Sequence, residues 1–347
     1  MKKERIYYFD ILRIIAIMAV VLLHCSGSNF RSVDIHSDTW HAFNIYESVC
    51  RYGVALFTMV SGALFLSGSQ TIGQILEKNV SRIAVVFFFW SAIYILVFND
   101  NWSLPTVINK LFCGHFHMWY LYAIIGLYLL VPILRVIVRN VKTAKYFLVL
   151  CFLFAYVFPQ LVSVISLYSH TLGEIGKSVL GNMNLRFVMG LTGYFVLGYM
   201  LHNFELDKKI IRWLYAGCIF SFGLNIVGTI VISYHQNVAD TLFYDNASVT
   251  TLIQAIAVFV WVRRHFGKKN DIPASGHPVI EKLSICTFGV YLIHPLVLSL
   301  LDLHLGLNTL SFSAWISVPA LFIIVLVLSL TASLVLNHIP IIKKYIV

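Results

Sequence analysis

The 347-residue chain is predicted to be an all-α polytopic integral membrane protein, with about ten transmembrane helices and both termini cytoplasmic. Three observations predict this. The composition is 59% hydrophobic and only 12% charged, with a mean hydropathy of +0.83. A soluble domain carries about 25% charged residues, so this chain has too few to cover a water-facing surface. Apolar runs of about 18–22 residues recur, each long enough to cross roughly 30 Å of hydrocarbon. Finally, Lys and Arg alternate between successive connecting segments. Lipid offers the backbone no hydrogen-bond partner, so the spans must be helices or a closed barrel. The alternating ten-residue pattern of a membrane barrel is absent.

The spans are expected near 11–28, 52–67, 79–98, 117–138, 146–165, 185–202, 211–234, 247–265, 283–302 and 314–337. The second run is short and contains Ser61-Gly62, which suggests a kinked or partly re-entrant segment. With the N-terminus inside, the inner segments hold twenty basic residues. They include Lys2, Lys3, Arg5, Arg13, Lys78, Arg82, Arg135, Lys208, Lys209, Arg263, Arg264, Lys268, Lys269, Lys343 and Lys344. The outer segments hold five: Arg31, Arg51, Lys110, Lys177 and Arg186. That bias orients the chain and favours an even span count. Seven of the fifteen acids, including Asp34, Asp38, Glu47, Asp240 and Asp245, fall in the outer loops. Trp102, Trp119 and Trp315 fall at span ends, as interfacial anchors do. No repeat or linker appears, so residues 1–347 are read as a single transmembrane domain with no appended soluble domain. The net charge of +10 sits at span ends rather than on one patch, which argues against nucleic acid as a partner. The first run carries Arg13 and His24 and lacks a small-residue cleavage site, unlike a signal peptide. The six cysteines have no C-x-x-C spacing and are read as small buried hydrophobes.

A polar group at bilayer depth is costly and therefore a functional candidate. In the first span, Arg13 and His24 are eleven residues apart, about three helical turns, so both side chains share a face roughly 16 Å apart along the axis. That places a fixed cation at the inner surface and an imidazole about halfway across. The separation is comparable to an extended pantetheine arm. Asp10, three residues before Arg13, is positioned to hold the guanidinium. The competing reading is an interfacial Arg and a His bonded to a neighbouring helix.

Arg51 opens the second run from the outer side, and Ser61-Gly62 lies near mid-depth. Ser61 has a hydrogen bond to offer, and Gly62 admits close approach of a ligand or of another helix; helix packing explains both equally. His115, His117, Trp119 and Tyr120 cluster at the outer end of the fourth span. They suit stacking on a sugar, although an aromatic belt predicts the same residues. On a helix His115 and His117 would not share a face, so no metal is expected. In the ninth span His294 lies twelve residues past Lys282, roughly 18 Å in, close to the depth of His24. Tyr291 shares its face, and Pro295 removes a backbone donor beside it. A shared polar site is expected. The small residues Gly190, Gly193 and Gly198 of the sixth span are read as packing.

Together these stretches resemble the membrane acyltransferase-3 family, bacterial O-acetyltransferases of surface saccharides. The R-x10-H signature matches Arg13 and His24. The R-x-G-V-x-x-F-x-x-x-S-G run matches Arg51, Gly53, Val54, Phe57, Ser61 and Gly62. H-x-W-[FY]-L matches His117, Trp119, Tyr120 and Leu121, and Y-x-x-H-P matches Tyr291, His294 and Pro295. Leu56-Phe57-Thr58 departs from the family's two aromatics.

The resemblance implies a membrane O-acyltransferase of the bacterial cytoplasmic (inner) membrane. It would move an acyl group, normally acetyl, from cytoplasmic acetyl-CoA to a hydroxyl of an extracytoplasmic saccharide or lipid-linked glycan. His24 would be general base or acyl carrier, with Ser61, Tyr291 or His294 stabilising the oxyanion. Arg13, Asp10, Ser61 and Gly62 would serve the acyl-CoA. Arg51, His115, His117, Trp119 and Tyr120 would serve the acceptor. The competing class is a transporter or flippase of a cell-envelope precursor. The absence of mid-depth acids or a repeated half argues against it. A sensor or structural subunit is the third reading. Exposed helix faces leave room for a homodimer.

Overall fold

The computed structural model describes residues 5–185, 188, 190–268, 271–272, 276–340 and 342. Lys2, Lys3, Arg186, Lys269, Lys343 and Lys344 of the charge tally lie outside them. Every regular element among the described residues is helical: α1 Tyr7–Gly27, α2 Asp38–Ser48, α3 Gly53–Leu66, α4 Ile72–Phe98, α5 Leu104–Cys113, α6 Trp119–Arg139, α7 Val141–Tyr168, α8 His170–Asn182, α9 Thr192–Asn203, α10 Lys208–Gln236, α11 Val249–Phe266, α12 His277–Leu305 and α13 Ala314–His338. Nine stretches among the described residues are long and apolar enough to cross a membrane. The region expected to form a sixth span contributes α9, whose 12 residues fall short of that length. Eight of its twelve residues are nonetheless buried, so it is core rather than surface.

Polar caps set several boundaries. Thr71 and Gln74 form a reciprocal capping box at the start of α4. Asn140, Asp207 and Ser248 cap α7, α10 and α11 with side-chain oxygens on backbone N–H groups. Gly306, at φ +60°, ends α12 in the left-handed conformation. The break expected near Ser61-Gly62 occurs earlier, at Val49–Tyr52, between α2 and α3. The chain runs as one helix through Ser61 because Gly62 has another task there. A Cβ on Gly62 would sit 1.8 Å from the carbonyl oxygen of Phe195, and one on Gly198 would sit 1.9 Å from that of Met59. Two glycines thus let α3 and α9 cross backbone to backbone, the small-residue contact that substitutes for a hydrophobic driving force in lipid.

Helix α1 is central and packs on α3, α12 and α13. Its start meets the start of α12, where Tyr7 stacks on His277 at 4.1 Å. Helix α13 returns antiparallel, and Ser333 near its end donates to the Cys286 carbonyl. The start of α1 and the end of α13 therefore share one face of the bundle, here the N-terminal face. The His24 end of α1 points to the opposite face. Cys25, Cys50, Cys151 and Cys286 are buried, whereas Cys113 is exposed and Cys218 half-buried, so these two depart from the expected burial. Helices α5 and α8 lie at the periphery. Leu104, Ile108 and Phe112 of the first are exposed, as are Leu172, Ile175 and Val179 of the second.

Candidate active site

A cavity of about 850 Å³ opens on the face opposite the N-terminus, with His24 and Phe116 among its lining and Arg51, Tyr244, Asn29 and Asp302 around it. His24 is three residues from the end of α1 and is held by His294 of α12. Nδ1 of His24 lies 2.6 Å from Nε2 of His294, and the rings stack at 4.9 Å. The equal depths inferred by counting residues correspond to this contact.

The partners of His294 assign its protons. Its Nδ1 is 2.9 Å from the Val290 carbonyl, which can only accept, so Nδ1 carries the hydrogen. Nε2 of the neutral ring is then an acceptor, and Nδ1 of His24 must donate to it. The lone pair of His24 is left on Nε2. Pro295 contributes indirectly. By removing its own N–H it leaves the Tyr291 carbonyl free of its helical donor, close to the His294 ring.

Other expected residues fall into three groups. His115 and His117 meet each other: their Nδ1 atoms are 3.0 Å apart. The expectation that they would not share a face assumed an α-helix, whereas Phe116–Met118 forms a 3-10 turn before α6. That turn directs Phe116 toward His24, with ring centroids 5.3 Å apart. It also buries His117 against His294, at 5.7 Å, and leaves Nε2 of His117 buried without a partner. His115 stacks on Tyr94 at 4.1 Å, and burial lowers its pKa to about 4. Arg51 lines the cavity, pairs with Glu47 one turn earlier, and lies 4.5 Å over the Tyr244 ring. Glu47 is therefore not a loop acid: it lies in the last turn of α2, is fully buried, and accepts from Ser26 at 2.8 Å.

Several of the expected residues are placed away from His24. The Tyr291 hydroxyl donates to the His117 carbonyl at 2.6 Å, so it braces the 3-10 turn instead of facing His24. Trp119 is 44% exposed and outside the cavity lining. Tyr120 also lies outside that lining, and its hydroxyl is 3.4 Å from Thr58. Helix α6 begins at Trp119, and the Tyr120 ring in its first turn packs edge-on to Tyr291, with centroids 6.1 Å apart. Gly62 is filled by the Phe195 backbone and cannot receive a ligand. Ser61 is separated from His24 by the antiparallel run of α3. Gly53 packs on Ala16 and Val20 of α1, and Ser61 is eight residues further toward the N-terminal face, about 12 Å along the helix. It lies beside Tyr128, which is also within electrostatic reach of Arg13. Ser61 thus lies toward the Arg13 end of the bundle rather than beside His24.

Arg13 keeps a third of its side-chain surface exposed at the N-terminal face. Asp10 does hold it, at 3.4 Å, but binds Arg5 more closely, at 2.7 Å, and accepts from Ser284 at 2.7 Å. Arg5 and Ser284 were not anticipated. Arg5 lies five positions from Asp10 and was legible as a local charge pair, whereas Ser284 is 274 residues away.

The site therefore has a fixed cation on one face, a bonded imidazole pair reaching the other, and a cavity beyond. An acyltransferase domain family matches the chain over residues 6–338. The chain belongs to the acyltransferase-3 family. Arg13 and His24, two of the residues that carry the resemblance, lie on the single helix α1. No curated protein and no solved structure matches the chain. An acyltransferase domain over nearly the whole length of a multi-span helical chain makes the protein a membrane acyltransferase.

Proposed function

We propose that this acyltransferase moves an acetyl group from cytoplasmic acetyl-CoA to a hydroxyl of an extracytoplasmic saccharide or lipid-linked glycan, in a bacterial cytoplasmic membrane with both termini inside. The observation that carries the reading is the His24–His294 bond, because its tautomers leave a basic Nε2 on the helix face that also bears Arg13. An acceptor entering the cavity would give its hydroxyl proton to Nε2 of His24. Its oxygen would attack the thioester carbon, and the C–S bond would break. The departing thiolate would take the proton back from His24. His294 acts as the positioning residue: it fixes the ring and stabilises the imidazolium by accepting from Nδ1.

Arg13 would bind the donor's phosphate by charge-assisted hydrogen bonds. The roughly 16 Å rise between Arg13 and His24 suits the pantetheine arm. Polar groups around the cavity, with Arg51, Asn29 and Asp302, suit a hydroxyl-rich acceptor. Phe116 supplies an apolar face beside His24 of the kind that packs on a sugar ring.

Purified protein in detergent, given acetyl-CoA and assayed for free thiol and acetylated product, tests this. Wild type should turn over, while His24→Ala should bind acetyl-CoA and release no thiol above background. Turnover by that variant at the wild-type rate would remove His24 from the reaction.

A further inference from the structure

A second concavity, of about 550 Å³, opens on the N-terminal face, between the start of α1, the end of α9, the start of α10 and the end of α11. Its lining carries Lys208, Arg263, Arg264 and Lys268 against the carboxylates of Glu205 and Asp271, four cations to two anions. Among the described residues none of these four cations lies within ion-pair distance of a carboxylate. Asp271 is engaged instead by the backbone N–H of Lys268, at 2.8 Å.

The site is built rather than a chance cluster of exposed lysines. Arg263 is half-buried and held by neutral partners. Its Nη1 donates to the carbonyls of Leu201 and Phe204 at the end of α9. Those bonds fix the guanidinium without neutralising it. Tyr8, 3% exposed, and His202 form the floor, with the Tyr8 hydroxyl 2.5 Å from Nδ1 of His202. The start of the 29-residue helix α10 adds a partial positive charge.

We infer that this pocket binds a phosphate-bearing anion, separately from the donor's approach at Arg13. Tyr8 and Arg13 are five residues apart on α1, about 140° around the helix, so the two sites open on different faces. The rim favours the headgroup of an anionic phospholipid. Ile210 and Trp213 are exposed next to Lys208, an apolar surface on which an acyl chain can lie while its phosphate reaches the cations. A basic pocket between helix ends on the positively charged face of a membrane protein is the common form of such a site.

The test uses full-length protein in detergent, with native mass spectrometry and thermal unfolding. The probes are dioctanoyl-phosphatidylglycerol, dioctanoyl-phosphatidylcholine, inorganic pyrophosphate and adenosine 3′,5′-bisphosphate. The variant is Lys208→Gln/Arg264→Gln/Lys268→Gln, which leaves the anchoring Arg263 in place. Saturable, salt-sensitive binding of phosphatidylglycerol over phosphatidylcholine, weakened at least tenfold in the triple variant and unchanged in Arg13→Gln, supports a lipid headgroup. The same pattern with pyrophosphate or the bisphosphate, and not with the lipid, supports a soluble phosphate. No saturable binding of any anionic probe overturns the inference, as does equal affinity in the wild type and a folded triple variant. If the triple variant unfolds, Lys268→Gln alone serves, with a severalfold loss expected. None of these readouts depends on acyl transfer.

Discussion

His24 and His294 are 270 residues apart in the chain, yet their rings stack 13° from parallel and share one hydrogen bond. Because the Val290 carbonyl dictates which nitrogen of His294 is protonated, it dictates through that bond which nitrogen of His24 is basic. Removing the acceptor should therefore damage His24 without touching it. His294→Leu should lower kcat by about 10²-fold, near the lower end of what general-base catalysis contributes, with little change in KM for acetyl-CoA. His294→Gln, whose side-chain oxygen can still accept, should keep more activity. Equal loss in both variants would mean that the hydrogen bond is not what His294 supplies.

Arg13 should act on donor affinity rather than on chemistry. Arg13→Gln is expected to raise KM for acetyl-CoA about tenfold and to flatten its salt dependence, with kcat at saturation largely retained. A loss confined to kcat would place Arg13 in some other role.

The Glu47–Arg51 pair makes a prediction about stability. Glu47 is fully buried, and breaking a buried pair leaves an uncompensated charge that costs about 3–5 kcal/mol. Arg51→Ala should lower the unfolding midpoint in detergent strongly. Adding Glu47→Gln should recover much of the loss, since a neutral amide has less to desolvate. A double variant no more stable than Arg51→Ala would show that the charge was not the cause.

The crossing of α3 and α9 tolerates no side chain. Gly62→Ala would place a methyl against the Phe195 carbonyl and force two packed helices apart, at a cost of about 1–3 kcal/mol or more. Gly126→Ala, inside α6 with nothing within 4 Å of its added methyl, is the control and should leave the midpoint unchanged or slightly higher. Similar midpoints for the two variants would contradict the close approach.

His115 provides a pH dependence. Burial holds its pKa near 4, below the ordinary 6.5, so the unfolded chain binds the proton more readily. Its contribution to stability is complete above about 6.5 and is lost as pH falls from there toward 4. The unfolding midpoint should fall across that window, and less steeply in His115→Phe. Identical slopes would assign the pH dependence to other groups.

Counting residues along one helix was enough to find some of this site. Arg13 and His24 share a face because of helix geometry alone, and His294 was matched to His24 by depth. Glu47 was legible too, as a carboxylate four residues before Arg51, but its place in an assumed loop concealed it. Phe116 and the His115–His117 contact depended on a 3-10 turn that residue types do not announce.

What the sequence by itself determined is the class of the protein and the depth of its polar groups. Both follow from one-dimensional quantities: the length of apolar runs against bilayer thickness, and the rise per residue of a helix. The tertiary structure alone decided which groups meet. It gave Gly62 to the Phe195 backbone, turned Tyr291 onto the His117 carbonyl, and put Tyr244 under Arg51. Rotation about a helix axis and choice of neighbour are set by packing between distant segments, and the local pattern of one helix does not carry that information.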